Sequence, residues 1–458
     1  MSRFVRFARS FSNSSAARRH GLLHELRDRG LISQISQPED RLISQLDSGH
    51  KIKLYCGADP TAHSLHLGNM VPLMVLLNFY VRGHDIVSLV GGATGRVGDP
   101  SGKKIERDIL PNQAILQNVQ RINDQLKRFF ENGLKYYRSK NVESTNVGSW
   151  TSVDNYDWWK DISMLGFLAK YGRHIRIQSM LSRDSVSSRL EGSGGLGFNE
   201  FAYQILQAYD FYHLFNEQNV TVQVGGNDQW GNITAGIDLI NRISPKAQCS
   251  PPTGLTVPLL TNSAGEKFGK SAGNAMFIDP EISTPFDIYQ FFFNISDSDV
   301  SRFLKIFTLL PLDEVETAVV EHMKRPHLRN GQKLLASEVT ELLHGAGSGK
   351  EAQIVSDIIF GDTHIINTLN ADEIIRLFNN ARILEQGKKS ESLMELICRM
   401  LKCSKSEGKR KLGQGSISLG PLKKRVVQDL TDWSSYLIDD KLLMLRIGKQ
   451  KCLLIEMT

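Results

Sequence analysis

One stretch constrains the fold of this chain more than any other: Tyr55-Cys56-Gly57-Ala58-Asp59-Pro60-Thr61-Ala62-His63-Ser64-Leu65-His66-Leu67-Gly68-Asn69. Before it, Lys51 to Cys56 alternates charge with apolar bulk and predicts a short strand. Gly57 and Asp59-Pro60-Thr61 end that strand. After it, Met70 to Tyr80 is apolar at most positions and long enough for a buried helix. Polar residues therefore crowd at the start of a helix. Free backbone N–H groups and the positive dipole end make such a place suited to a phosphate. His66 adds a side-chain donor, and Gly68 lets a ring or a phosphate approach the backbone closely.

Asp85 to Val90 is a second short apolar strand, running into Gly91-Gly92-Ala93-Thr94-Gly95. Strand, helix, strand at this spacing is a βαβ unit, hence a parallel sheet. Ligands of such sheets bind beyond the carboxyl ends of the strands, where both polar turns fall. The glycines do not spell G-x-G-x-x-G, which argues against a dehydrogenase.

Residues 112–170 read as helices, and their Trp158–Trp159 pair reads as core or interface. Phe201 to Asp210 is helical, with Tyr203, Gln207 and Asp210 at i, i+4 and i+7 on one face. Polar groups on one face of an otherwise apolar helix need partners or a ligand. Val220 to Val224 predicts the next strand, ending in the turn Gly225-Gly226-Asn227-Asp228-Gln229-Trp230. After the apolar stretch Leu255 to Leu260 comes Gly265-Glu266-Lys267-Phe268-Gly269-Lys270-Ser271, a Gly-rich loop with two lysines three apart. From Pro285 to about Asn370 the periodicity is helical. Beyond Lys388 come two helices, Leu393–Leu401 and Ser404–Lys411, and a short strand at Gly415–Leu419. Leu442–Ile447 and Lys451–Ile455 predict a closing hairpin.

At 458 residues the chain is too long for one typical domain. No apolar run is long enough to span a bilayer, so no membrane is expected as a partner. The five cysteines form no Cys-x-x-Cys pair, so neither a zinc site nor a disulfide framework is indicated. Charge sits at the ends. Residues 1–20 hold five arginines (Arg3, Arg6, Arg9, Arg18, Arg19), several serines and no acid, the pattern of a mitochondrial transit peptide; a disordered basic tail is the alternative. Residues 388–458 carry fifteen Lys/Arg against eight Asp/Glu, which points to an anionic partner such as RNA.

Six ordered motifs, YCGADPTAHSLHLGN, LVGGATGRVGDPSGKK, NYDW, YQILQAYD, VGGNDQWGN and KFGKS, resemble those of the tyrosyl-tRNA synthetases of bacterial and mitochondrial type. These are class I aminoacyl-tRNA synthetases. The resemblance covers nearly the whole chain after residue 20. It implies an α/β fold with a Rossmann-like parallel-sheet catalytic domain (21–284). A helical dimerisation insert is implied at about 112–200. A helical anticodon-side domain (285–387) and a small α+β RNA-binding domain of ribosomal-protein type (388–458) would follow. It implies ATP as substrate with Mg2+, and no protein-bound metal or prosthetic group. L-tyrosine and tRNA(Tyr) are the other implied partners, in a homodimer of the mitochondrial matrix.

The resemblance also implies roles. His66 and Asn69 would contact phosphates and ribose, with Asp59, Gly226 and Asp228 on the nucleotide side. Lys267 and Lys270 would grip the leaving pyrophosphate, assisted by Lys103 and Arg107. Asn69 departs from the family's second histidine; its amide can donate but cannot be charged. Tyr55 and Asp210 would hold the substrate phenol. Asp99, Tyr203 and Gln207 would hold the ammonium, with Gln229 beside them. Two other readings compete. Tryptophanyl-tRNA synthetases share the fold but have no phenol to pair with Tyr55 and Asp210. A synthetase-derived RNA-binding protein with a splicing role could keep both signatures.

Overall fold

The computed structural model describes residues 21–101, 110–140, 146–190, 195–263, 268, 270–271, 274–360, 363–430, 432–448 and 451–458. The expected leader, Lys103, Arg107 and Lys267 lie outside the described residues.

The site is positioned by a six-stranded sheet: β1 (Gln34–Ile35), β2 (Lys53–Ala58), β3 (Asp85–Val90), β4 (Trp150–Asp154), β5 (Val222–Gly226) and β6 (Thr253–Val257). Its order is β1-β6-β5-β2-β3-β4, parallel throughout except for the antiparallel edge strand β1. β2, β3 and β4 step to one side and β5 and β6 to the other. The chain therefore reverses its winding between β2 and β5, and the ends of those two strands open into a cleft. Leu54, Tyr55 and Cys56 of β2 and Ile86 to Val90 of β3 are buried on both faces, as central parallel strands are. The helix Met70–Tyr80 is apolar all round and buried beneath the sheet, as such helices must be.

The helix Asn112–Lys140 crosses from β3 to β4, with Ile115, Ile122, Leu126, Phe129 and Phe130 turned inward. A wholly helical 112–200 is not what forms. Trp150-Thr151-Ser152-Val153-Asp154 is strand β4, paired in parallel with β3. Its polar residues mask the strand pattern because it lies at the sheet edge with its side chains only partly buried. Short helices, Tyr156–Trp159, Met164–Lys170 and Ile177–Leu181, follow it. The segment before β2 holds β1 between the helices Leu22–Asp28 and Glu39–Asp47.

The helical region starts at Pro285, where Thr284 and Asp287 form a capping box. Its helices Pro285–Phe293, Asp297–Phe307, Leu312–Lys324, Asn330–His344 and Ser348–Phe360 share an apolar core with the six-stranded sheet. Buried Arg29 fastens the two, donating to the carbonyls of Thr308 at 3.2 Å and Leu310 at 2.8 Å.

The last sheet contains the expected hairpin, Leu442–Ile447 with Lys451–Met457. It reaches back past residue 388, because Leu384–Gly387 pairs in parallel with Leu454–Met457. Strand alternation gives the sheet two apolar faces. Leu443, Leu445, Ile455 and Met457 pack on the helices Leu393–Leu401 and Lys405–Gly413. Leu442, Met444 and Leu454 pack on Val355, Ile358, Ile374 and Leu377.

Candidate active site

Tyr55 stands on β2 in the floor of the cleft, 1% exposed, its ring tilted against Phe211 with centroids 5.5 Å apart. Its Oη is buried with no hydrogen-bond partner among the described residues. Burial, with a smaller contribution from nearby Asp210, pushes the phenol well above its ordinary range. An orphaned buried hydroxyl is costly, which makes this atom a candidate to meet a ligand.

Asp210 comes from the helix Phe198–Gln218 and is 2% exposed. The Trp158–Trp159 pair, expected to be packing, bonds to it instead. Trp158 Nε1 and Trp159 Nε1 donate to Oδ1 at 2.8 and 2.7 Å, and Asn155 Nδ2 donates to Oδ2 at 2.9 Å. A carboxylate has about four acceptor positions, so these three donors leave one open. Burial pushes the acid up to about 7; the three donors oppose that rise. Asn155 is wholly buried and also accepts from Ala93 N at 2.7 Å, tying the turn after β3 to Asp210.

Tyr203 and Asp210 share the inner face of their helix, as the spacing predicts, and both are buried. Tyr203 Oη donates to Asp59 Oδ2 at 2.8 Å, and Thr94 Oγ1 donates to Asp59 Oδ1 at 2.7 Å. Asp59, expected on the nucleotide side, is thus bonded to Tyr203, expected on the amino-acid side. A Cβ on Gly91 would lie 2.1 Å from Asp59 Oδ1 and 2.4 Å from Thr94 Oγ1, so a larger residue there would push this bonded pair out of place. After burial itself, Asp59, Asp99 and Asp210 all hold the Tyr203 phenol up, so three carboxylates converge on this pocket.

Asp99 accepts from Gln229 Nε2 at 2.7 Å and from Ser101 N at 2.9 Å. Asn232, missed in the sequence although it lies within VGGNDQWGN, joins the others. Its Nδ2 donates to Gln207 Oε1 at 3.0 Å and to Gln229 Oε1 at 3.2 Å. Asp228 is exposed at the mouth of the cleft beside Gly226, the last residue of β5.

On the other side, exposed His66 precedes the single turn Leu67–Asn69 that leads into the helix Met70–Tyr80. Asn69 closes this turn, its Oδ1 accepting from His66 N at 3.0 Å. The close approach at Gly68 is made by the His66 ring, which a Cβ there would meet at 2.9 Å. Lys270–Ser271 pairs with Asn274–Ala275 in a two-residue hairpin; of Lys270 only the backbone is described. The next residues return to the His66 turn. Leu67 N donates to Met276 O at 3.0 Å, and Ile278 N to Leu65 O at 2.9 Å. The His66 turn is thus joined backbone to backbone with the segment that follows the lysine loop, about two hundred residues further along the chain.

Comparison with known proteins agrees with this geometry. Residues 47–361 match the family described as tRNA synthetases class I (W and Y). The mitochondrial tyrosine–tRNA ligase of Saccharomyces cerevisiae is 58% identical over 97% of this chain and 90% of its own length. Tyrosine–tRNA ligase 2 of Bacillus cereus is 38% identical over 95% of this chain and 99% of its own. A C-terminally truncated mitochondrial tyrosyl-tRNA synthetase of Aspergillus nidulans superposes with a TM-score of 0.68 at 34% identity, covering 74% of this chain and 94% of that one. By sequence, fold and the polar set at the strand ends, the chain belongs to the tyrosine–tRNA ligases of the class I aminoacyl-tRNA synthetases.

Proposed function

We propose that the chain activates L-tyrosine with ATP and passes the tyrosyl group to the terminal ribose of a mitochondrial tRNA(Tyr), with the residues of the cleft in the following roles. The observation that carries this reading is the unpartnered Tyr55 Oη together with the one open acceptor position on Asp210. A phenol needs one donor and one acceptor, and these two groups offer them. A site built to bond a hydroxyl rejects the analogue that lacks it, tyrosyl-tRNA synthetases being the familiar case of that rule. The substrate ammonium would sit among Asp99, Gln207 and Tyr203, where the convergent carboxylates favour a cation.

In the first step a tyrosine carboxylate oxygen bonds to the α-phosphorus of ATP, and the bond from that phosphorus to the pyrophosphate oxygen breaks. The protein's part is to align the groups and to stabilise phosphate charge. His66 and the helix start behind it face the phosphates, while Gly226 and Asp228 receive the ribose. Asn69 contributes through the shape of the turn. Lys267 and Lys270, with Lys103 and Arg107, neutralise the departing pyrophosphate. Mg2+ arrives on the triphosphate as part of the substrate.

In the second step a ribose hydroxyl of the tRNA attacks the acyl carbon and releases AMP. The basic residues beyond 388 would hold the tRNA through its phosphates. Exposed Met164, Leu165, Leu168, Ile177 and Leu181 would meet a second copy of the chain, and residues 1–20 would direct it to the mitochondrial matrix. The test is amino-acid-dependent exchange of pyrophosphate into ATP. Exchange driven by tyrosine and not by tryptophan or phenylalanine is expected; exchange driven equally well by tryptophan would overturn the reading.

A further inference from the structure

Gln125 lies in the middle of the crossover helix Asn112–Lys140 and is 4% exposed. Its amide is fully used. Oε1 accepts from Ser64 Oγ at 3.0 Å and from Leu65 N at 3.0 Å. Nε2 donates to His63 O at 3.1 Å and to Asp279 Oδ2 at 3.2 Å. Two donors and two lone pairs are all that an amide has. Three of these bonds hold the residues immediately before His66. The fourth holds Asp279, which organises the segment leaving the lysine loop. Asp279 Oδ1 accepts from Glu281 N at 3.0 Å, and its carbonyl accepts from Ser283 N at 2.9 Å. Ser283 Oγ in turn accepts from Phe277 N at 3.1 Å, opposite His66 in the bridge between the two segments.

We propose that Gln125 is a positioning residue for adenylate formation. One buried amide sets the His66 turn and the exit of the Lys270 loop in fixed relation, although it touches neither substrate. The proposal rests on the phosphate-side roles given above to His66 and Lys270. Its physical basis is that a misplacement of about 1 Å at the reacting groups costs about 100-fold in rate, even when the cause lies away from the chemistry. The tyrosine side has its own supports, the Asn155–Trp158–Trp159 set and Asn232, and none of them bonds to Gln125.

Two variants of the full chain separate positioning from mere packing. Gln125→Met keeps the volume and removes all four bonds. Gln125→Glu keeps the acceptor for Ser64 and Leu65, loses both donors and sets a carboxylate against Asp279. Pyrophosphate exchange gives kcat and the KM for ATP, and equilibrium dialysis gives tyrosine affinity. Gln125→Met is expected to lower kcat/KM for ATP by about 100-fold, with tyrosine affinity changed less than about twofold. Gln125→Glu should recover activity as the pH is lowered, because protonation relieves the carboxylate pair and returns one donor. A parallel loss of tyrosine affinity, unchanged kcat in Gln125→Met, or a Gln125→Glu variant with the pH profile of the parent would each overturn the proposal.

His66→Ala and Lys270→Ala test the underlying roles separately. In a His66→Ala background the cost of Gln125→Met should shrink, because residues that act through one another are not additive. If neither single variant slows exchange, the phosphate-side assignment fails and the proposal falls with it; if both slow exchange and Gln125→Met does not, the assignment stands and the proposal alone fails.

Discussion

The two halves of the cleft are built by opposite means. The half proposed for tyrosine is a buried net of side chains in which Asp210 is bonded to Asn155 and Asp59 to Tyr203. The half proposed for the phosphates is one turn at His66 and a short hairpin at Lys270, set mainly by backbone pairing and pinned from behind by the single buried amide of Gln125. The contrast suits what each half is proposed to recognise. A phenol is told from a phenyl ring by a single hydroxyl, so selectivity needs dry groups in fixed positions. A triphosphate carries charge that changes hands during the reaction. Its contacts are worth most when they strengthen at the transition state.

The largest expected effect is on the tyrosine side. Asp210→Ala removes the acceptor for the phenol and strands the two indole N–H groups and the Asn155 amide. Tyrosine kcat/KM should fall by about 3 kcal/mol or more, upwards of 100-fold. The ratio of tyrosine to phenylalanine should collapse with it. If that ratio survives, the buried net is structural and the comparison between the halves breaks. Lys270→Ala is the matching change on the other side. It should slow adenylate formation by about 3 kcal/mol, as removing one preorganised donor from a charge-stabilising site does. Single-turnover rates should fall while tyrosine affinity stays. Equal losses in both would make Lys270 a structural lysine.

The same contrast explains what could be read from the chain. Backbone-built features leave local marks. The helix Met70–Tyr80, the strand Asp85–Val90 and the helix Leu393–Leu401 follow from periodicity and breakers and form where expected, whereas the strand before His66 runs on to Ala58, through the Gly57 expected to end it. The shared face of Tyr203 and Asp210 follows from helical spacing alone. Side-chain nets leave no such mark. Trp158, Trp159 and Asn155 meet Asp210 across more than fifty residues, and Asp59 meets Tyr203 across 144. Nothing local says that an indole will turn its N–H to a carboxylate and not merely pack. Trp150–Asp154 was illegible for another reason, because its register against β3, and not its own pattern, makes it a strand.

Tyr55→Phe should have a smaller effect and sharpen the comparison further. It removes one neutral donor to the phenol, at about 1 kcal/mol, or roughly fivefold to tenfold in tyrosine kcat/KM. It also removes the orphaned buried hydroxyl of the free protein, which costs stability while no ligand is bound. The variant should therefore melt higher than the parent in the absence of tyrosine, a stability gained at the expense of function. A lower melting temperature would mean that Tyr55 Oη has a partner in the free protein.

The smallest effect is that of pH, and it separates the halves without any mutation. Burial raises Asp210 to about 7. In the proposed pocket the phenol hydroxyl uses the ionised carboxylate as its acceptor, so protonation should compete with tyrosine. From about pH 8 to about pH 6.5 the ionised fraction falls about fourfold, and the KM for tyrosine should rise by that factor. Stability should move the other way. A raised carboxyl favours the folded state while protonated, so its contribution is whole below the ordinary carboxylate range and is lost as the pH rises through about 7. Tyrosine, by donating to the carboxylate, should lower that value and release a proton on binding near neutrality. Phenylalanine, which has no hydroxyl to donate, should release none. Calorimetry of both amino acids in buffers of different ionisation enthalpy measures this directly. Equal proton release by the two would show that Asp210 does not meet the phenol, and the tyrosine half would lose the group on which its selectivity depends.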